Sequence, residues 1–186
     1  MVNGKIEIRV VLGDITYVNT DIIVCPANIY LESTSGIAGQ LIMKGGLQIQ
    51  KESRQWIQKY GPVKTGSCAF TSAGTLKNKF IIHTPGPHWP SHPEKKNLEL
   101  LKSCVTKSLE MSTNSAKLGE ISSISFPLIS SGNFGGPEEL VATTILESIV
   151  EWSKRPITGK MKQVQICSVS EKQIAFFKQE VQRVSE

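Results

Sequence analysis

Two nearly continuous apolar runs, Ile22-Ile23-Val24-Cys25 and Ile124 to Ile129, are each followed by a loop of small residues and then by a new apolar segment. A strand without polar alternation is covered on both faces, so these runs predict a sheet held between helical layers. Phe80-Ile81-Ile82 is a shorter candidate of the same kind. Lys5 to Val11 differs: Ile6, Ile8 and Val10 alternate with Lys5, Glu7 and Arg9, the two-residue period of a half-exposed outer strand. Leu98, Leu101, Val105 and Leu109 recur at helical spacing, as do Ile174, Phe177, Val181 and Val184. Pro137 with Glu138 and Glu139 suits the first turn of a helix that runs to about Lys154 and ends at Arg155-Pro156. Gln163 to Val169 supplies a late strand. The order is that of an α/β protein, a three-layer α/β/α sandwich with a mixed central sheet.

The 186 residues fit one domain, and no repeat or linker divides residues 1–186. No stretch approaches the roughly 18 apolar residues of a membrane span, and the N-terminus carries no signal pattern, so no membrane partner is expected. Cys25, Cys68, Cys104 and Cys167 are widely spaced and form no C-x-x-C pair, as expected of reduced thiols in a cytoplasmic or nuclear protein. The net charge of +5 is spread along the chain without a dense basic run, so it does not separate nucleic acid from a small phosphate ligand.

The Walker A, dinucleotide, zinc-peptidase and nucleophile-elbow patterns are absent from the sequence. His88 and His92 supply only two ligands, so no metal site is expected. His83 lies within an apolar run and is expected to be buried and hydrogen-bonded. What remains is two loops. The first runs from Asn28 through Ser33-Thr34-Ser35-Gly36-Ile37-Ala38-Gly39, and the second is Ser130-Ser131-Gly132-Asn133-Phe134-Gly135-Gly136-Pro137. Small residues let backbone N–H groups approach an anion, a helix start adds partial positive charge, and open α/β sheets bind ligands at strand C-terminal ends. A diphosphate cradle results. Tight turns are the plain structural alternative.

Gly13-Asp14-Ile15-Thr16, Asp21 to Asn28, Gly36-Ile37-Ala38-Gly39, Ile82 to Pro87 and Ser130 to Gly135 occur in that order across nearly the whole chain. Together they resemble the successive signatures of a macrodomain, the ADP-ribose-binding module. Gly46 to Gly61 further resembles macrodomains of the multi-macrodomain mono-ADP-ribosyltransferases of the poly(ADP-ribose) polymerase family. The resemblance implies a domain excised from a larger protein, acting as a monomer without a cofactor. Its partner would be ADP-ribose, free or as a single or terminal modification on proteins.

The resemblance also implies a role for each site residue. Asp14 would accept from the adenine amine and the Ile15 N–H would read the adjoining ring nitrogen. Asn28 would bond hydroxyls of the distal ribose. Amides at Ser35, Gly36 and Ile37 would meet one phosphate, and those at Ser131, Gly132, Asn133 and Phe134 the other. The Phe134 ring would cover the distal ribose, and Val169 or Ser170 would flank the adenine. Structural alternatives stand beside these: a solvated turn for Asp14, an Asx-turn for Asn28, a core lid for Phe134 and a core position for Val169.

Hydrolytic macrodomains of the best-understood kind place an aspartate ten residues after the asparagine that matches Asn28, and this chain has Ala38 there. A reader is therefore expected rather than an enzyme. Cys25-Pro26 and Ser33-Thr34-Ser35 also depart from the family pattern. Glu32 offers a carboxylate in place of the missing aspartate, but an exposed loop glutamate is usually only solvated, and that is the expected role. The enzymatic alternative is weak hydrolysis of Asp- or Glu-linked mono-ADP-ribose, with Asn28 and Phe134 positioning ribose and water. A third reading is single-stranded nucleic-acid binding through positive charge and aromatic side chains.

Overall fold

The computed structural model describes residues 2–3, 6–32, 35–156 and 159–183. Lys5 and Val184, at the ends of expected elements, and Ser33 and Thr34 of the first loop lie outside the described residues. In chain order the elements are β1 (Val2–Asn3), β2 (Ile6–Leu12), β3 (Ile22–Ala27), α1 (Gly36–Gly45), α2 (Leu47–Tyr60), β4 (Ala69–Ser72), β5 (Phe80–Pro85), α3 (Glu94–Asn114), β6 (Ser123–Phe126), α4 (Glu138–Ser153), β7 (Gln163–Ser168) and α5 (Glu171–Arg183). Single 3-10 turns lie at Ile15–Tyr17, Trp89–Ser91 and Ala116–Leu118.

The strands form one mixed sheet in the order β1-β2-β7-β6-β3-β5-β4. The five inner strands pair in parallel, and β1 and β4 run antiparallel at the two edges. Successive residues of the inner strands point to opposite faces, and each face has its own core. Ile22 and Val24 of β3 and Ile82 of β5 join Leu101, Val105, Ile145, Ile149 and Phe177 under α3, α4 and α5. Ile23, Cys25 and Ile81 join Leu41 and Ile49 under α1 and α2. This is the expected three-layer sandwich, and double coverage explains why Ile22 to Cys25 of β3 and Phe80 to Ile82 of β5 carry no polar alternation.

Four element boundaries differ from the sequence reading. β2 is not the outermost strand, because β1 pairs outside it with Val2 opposite Glu7. A two-residue strand leaves no period to detect. β6 ends at Phe126 instead of continuing to Ile129. Pro127 has no N–H for a ladder, and Leu128 and Ile129 are buried as loop residues. β7 closes at Ser168, leaving Val169 outside it and exposed. The helical segment after the first loop is two helices, which meet at Gly46 with φ at +91°.

Candidate functional site

β3 and β6 are neighbours over two residues only, with Ile22 opposite Ile124 and Ile23 opposite Ser125. Beyond them β3 leads to α1 on one face of the sheet and β6 leads to α4 on the other. The strand ends must splay, and the crevice they leave is the topological switch point of an α/β sheet. Pro26, which has no N–H to donate, sits in a central strand where only the ladder to β5 continues. The crevice is a cleft of about 360 Å³, within the range of small-molecule sites.

One wall is the first loop. The Asn28 carboxamide organises it: Oδ1 accepts from Tyr30 N at 3.0 Å and Glu32 N at 3.2 Å, while Nδ2 donates to Glu32 O at 2.8 Å. Asn28 thus makes an Asx-turn and lines the cleft, with one Nδ2 hydrogen left over among the described residues. The fully buried Leu31 anchors the loop against Ala27, Val63 and Ala69, at a φ of +55°. Ser35, Gly36, Ile37 and Ala38 continue the wall into the first turn of α1. Gly36 has φ at +61° with open space where a Cβ would stand, so its backbone lies bare toward the cleft. That first turn carries no acidic residue, which leaves its positive dipole end free for an anion. α4 differs, with Glu138 and Glu139 already in its first turn and Pro137 one place before it.

The opposite wall is the loop from Leu128 to Phe134. Gly135 N donates to Gly132 O at 2.9 Å and Gly136 N to Ser130 O at 2.8 Å, closing the loop on itself. Among the described residues, the amides of Gly132, Asn133 and Phe134 donate to no backbone carbonyl, and that of Ser131 makes only a long bond of 3.5 Å to Leu128 O. Ser130 has φ at +68°, and its buried Oγ has no hydrogen-bond partner among the described residues. The Phe134 ring packs edge-on against His88 with centroids 5.7 Å apart, and Trp89 N donates to Phe134 O at 2.8 Å.

At the C-terminal end of β2, Asp14 caps the turn Ile15–Tyr17, with Oδ1 accepting from Thr16 N at 2.9 Å. Its Oδ2 pairs with Lys44 Nζ at 2.8 Å. Burial pushes the Asp14 carboxyl up, but hydrogen bonds from Lys44 and Thr16 outweigh it and hold the group below its ordinary value. Ile15 is buried with the α1 and α2 core. Gly13 N donates to Ser168 O at 2.8 Å, which joins this turn to the end of β7. Val169 is 76% exposed there, and the Ser170 hydroxyl accepts from Gln173 N at 3.3 Å at the start of α5.

The structure therefore gathers Asn28, Ser35, Gly36, Ile37, Ser131, Gly132, Asn133 and Phe134 around one cleft. Asp14, Ile15, Val169 and Ser170 form a second group beyond its walls, at the ends of β2 and β7. The core position weighed for Val169 is overturned by its exposure. His83 is buried as expected, 2.8 Å from Thr71 Oγ1 through Nε2, and burial lowers its pKa to about 4. Sequence reasoning missed Gly86 and Leu128 in the walls, His88 and Trp89 behind Phe134, and Lys44 on Asp14. Glu32, expected to be solvated, lines the cleft and among the described residues is the one formally charged residue that does.

The pattern of the Macro domain family matches residues 24–145. The Oceanobacillus iheyensis macrodomain, in a variant solved with ADPR, superimposes with a TM-score of 0.89 at 28% identity, covering 98% of this chain and 95% of that one. Solved with ADP, the same macrodomain gives 0.88 at 29% identity, covering 98% and 93%. Protein mono-ADP-ribosyltransferase PARP9 of Mus musculus is 33% identical over 174 residues, which are 93% of this chain and 20% of the mouse protein.

Proposed function

This chain belongs to the macrodomain family, and from that premise we propose that its cleft binds ADP-ribose, free or carried as a single or terminal modification on a protein. The observation that carries the reading is the pairing of two backbone-lined walls across the β3–β6 switch point. The cleft has no cationic side chain among its described lining residues, so a bound diphosphate is met by amides and the α1 dipole instead of by Lys or Arg. Asn28 keeps one donor for a ribose hydroxyl, and Phe134, braced by His88, offers a flat apolar cover. The turn at Asp14 and Ile15 with Val169 would receive the base. The complexes of the Oceanobacillus protein with ADP and ADPR support the same assignment.

A reader is favoured over a hydrolase because Ala38, in the first turn of α1, meets the cleft with no acid or base. One observation favours the second reading, slow hydrolysis of an ester-linked modification: Glu32 stands in the wall directly beside Asn28. Release of ADP-ribose from an automodified acceptor separates the two, since a pure reader releases none above buffer.

Calorimetric titration with ADP-ribose, with AMP as competitor, tests the binding itself. A dissociation constant near the micromolar range, about −8 kcal/mol, is expected. No heat and no thermal shift at millimolar ligand would remove the proposal.

A further inference from the structure

α1 connects the two ends of the site. Its first turn meets the cleft, and near its other end Lys44 Nζ lies 2.8 Å from Asp14 Oδ2, 2.6 Å from Thr16 Oγ1 and 4.1 Å from the centre of the Tyr17 ring. Asp14 Oδ1 meanwhile accepts from both Thr16 N at 2.9 Å and Thr16 Oγ1 at 2.7 Å. Each carboxylate oxygen accepts about two hydrogen bonds. Oδ1 is therefore filled, and among the described residues Oδ2 has one place left after Lys44 takes the other. The ammonium directs its three hydrogens to Asp14, Thr16 and the Tyr17 ring face, so it has none to offer an incoming carbonyl.

We propose that Lys44 is a positioning residue: it fixes Asp14 so that a single acceptor site remains for the base, and the pocket then selects a base with an exocyclic amine over one with a carbonyl at that place. The inference rests on the ADP-ribose reading and deepens it. The two side chains are 24% and 32% exposed, so the ion pair is screened and its main effect is geometric. A site built to accept an N–H rejects a carbonyl there strongly, because two acceptors then face each other without a proton between them. Lys44 also stands on the helix whose first turn meets the diphosphate, so the same tie sets the spacing between base and phosphates.

The test is calorimetric titration of wild type, Lys44→Met and Lys44→Arg with ADP-ribose and with its hypoxanthine counterpart, in which a carbonyl replaces the amine. Wild type is expected to prefer ADP-ribose by at least about tenfold. Lys44→Met, shown folded by its thermal transition, is expected to bind ADP-ribose about tenfold more weakly with the hypoxanthine ligand little changed, and Lys44→Arg to recover most of the preference. An unchanged preference in Lys44→Met overturns the proposal, as does an equal loss for both ligands, the mark of a merely structural role. Tighter ADP-ribose binding by Lys44→Met also overturns it, since Lys44 would then compete with the base for the carboxylate. If wild type binds neither ligand, the ADP-ribose reading itself fails first.

Discussion

Gly86 and Ser130 meet across the floor of the cleft so closely that a Cβ on Gly86 would lie 2.2 Å from Ser130 Oγ and 2.6 Å from Ile129 Cγ2. The end of β5 and the loop after β6 share this contact, and the shape of the second wall depends on it. Gly86→Ala is expected to displace the Ser130 loop, cost about 1–3 kcal/mol in stability and weaken ADP-ribose by more than about tenfold. Chemical denaturation and titration read the two effects. A variant as stable and as tight as wild type would show the loop to be compliant.

Ser130 holds φ at +68°, a conformation L residues adopt at a cost. Ser130→Gly and Ser130→Ala both delete the buried hydroxyl, which has no partner among the described residues, and only glycine also relieves the backbone. The glycine variant is expected to be more stable than the alanine variant by about 1 kcal/mol, measured as the difference in urea midpoints at matched slopes. Equal midpoints would show that Ser130 carries no backbone strain.

At the far end of the sheet Asp21 ties the start of β3 to that of β6. Its Oδ2 accepts from Ser122 N at 2.7 Å and Ser122 Oγ at 2.8 Å, and its Oδ1 pairs with Lys79 at 2.8 Å. Burial raises this carboxyl, but bonds from Lys79 and Ser122 outweigh it and leave the pKa lowered from 3.8. A carboxylate lowered by folding contributes stability that is full above its unfolded pKa and lost as pH falls through the folded one. Asp21→Asn is expected to cost about 1–3 kcal/mol at pH 7 and progressively less below the ordinary carboxylate range. A penalty unchanged at acid pH would contradict the assignment.

His83 acts over a different pH window. Burial lowers its pKa from 6.5 to about 4 against the opposing pull of Glu52, so between those values the unfolded chain binds a proton that the folded one refuses. Stability therefore falls as pH drops from 6.5 toward 4, by up to about 3 kcal/mol. Denaturation at closely spaced pH values should show this slope in wild type and a much shallower one in His83→Gln. An equal slope in both would assign the effect elsewhere.

The sequence revealed most where a residue's job is local. Nearly continuous apolar runs announced strands covered on both faces, and the small-residue loops after β3 and β6 named eight residues that the fold brings to one cleft. Asn28 shows why two local readings need not exclude each other, since it makes the Asx-turn and lines the cleft at once. What stayed hidden depends on pairs distant in the chain. Lys44 meets Asp14 across 30 residues, and His88 braces Phe134 across 46, as neither helical period nor loop composition records. Glu32 was visible as a loop carboxylate, but its place in the wall was not, because backbone bonds to Asn28 set it. β1 was too short to carry any pattern.

The most direct test of the account is amide chemical-shift mapping of the ¹⁵N-labelled protein during titration with ADP-ribose. The largest changes are expected at Gly36 and Ile37 and at Gly132, Asn133 and Phe134, with a second set at Asp14, Ile15 and Val169 where the base would lie. Shifts centred instead on the exposed face around Trp56, Tyr60 and Lys117, or none at millimolar ligand, would contradict it.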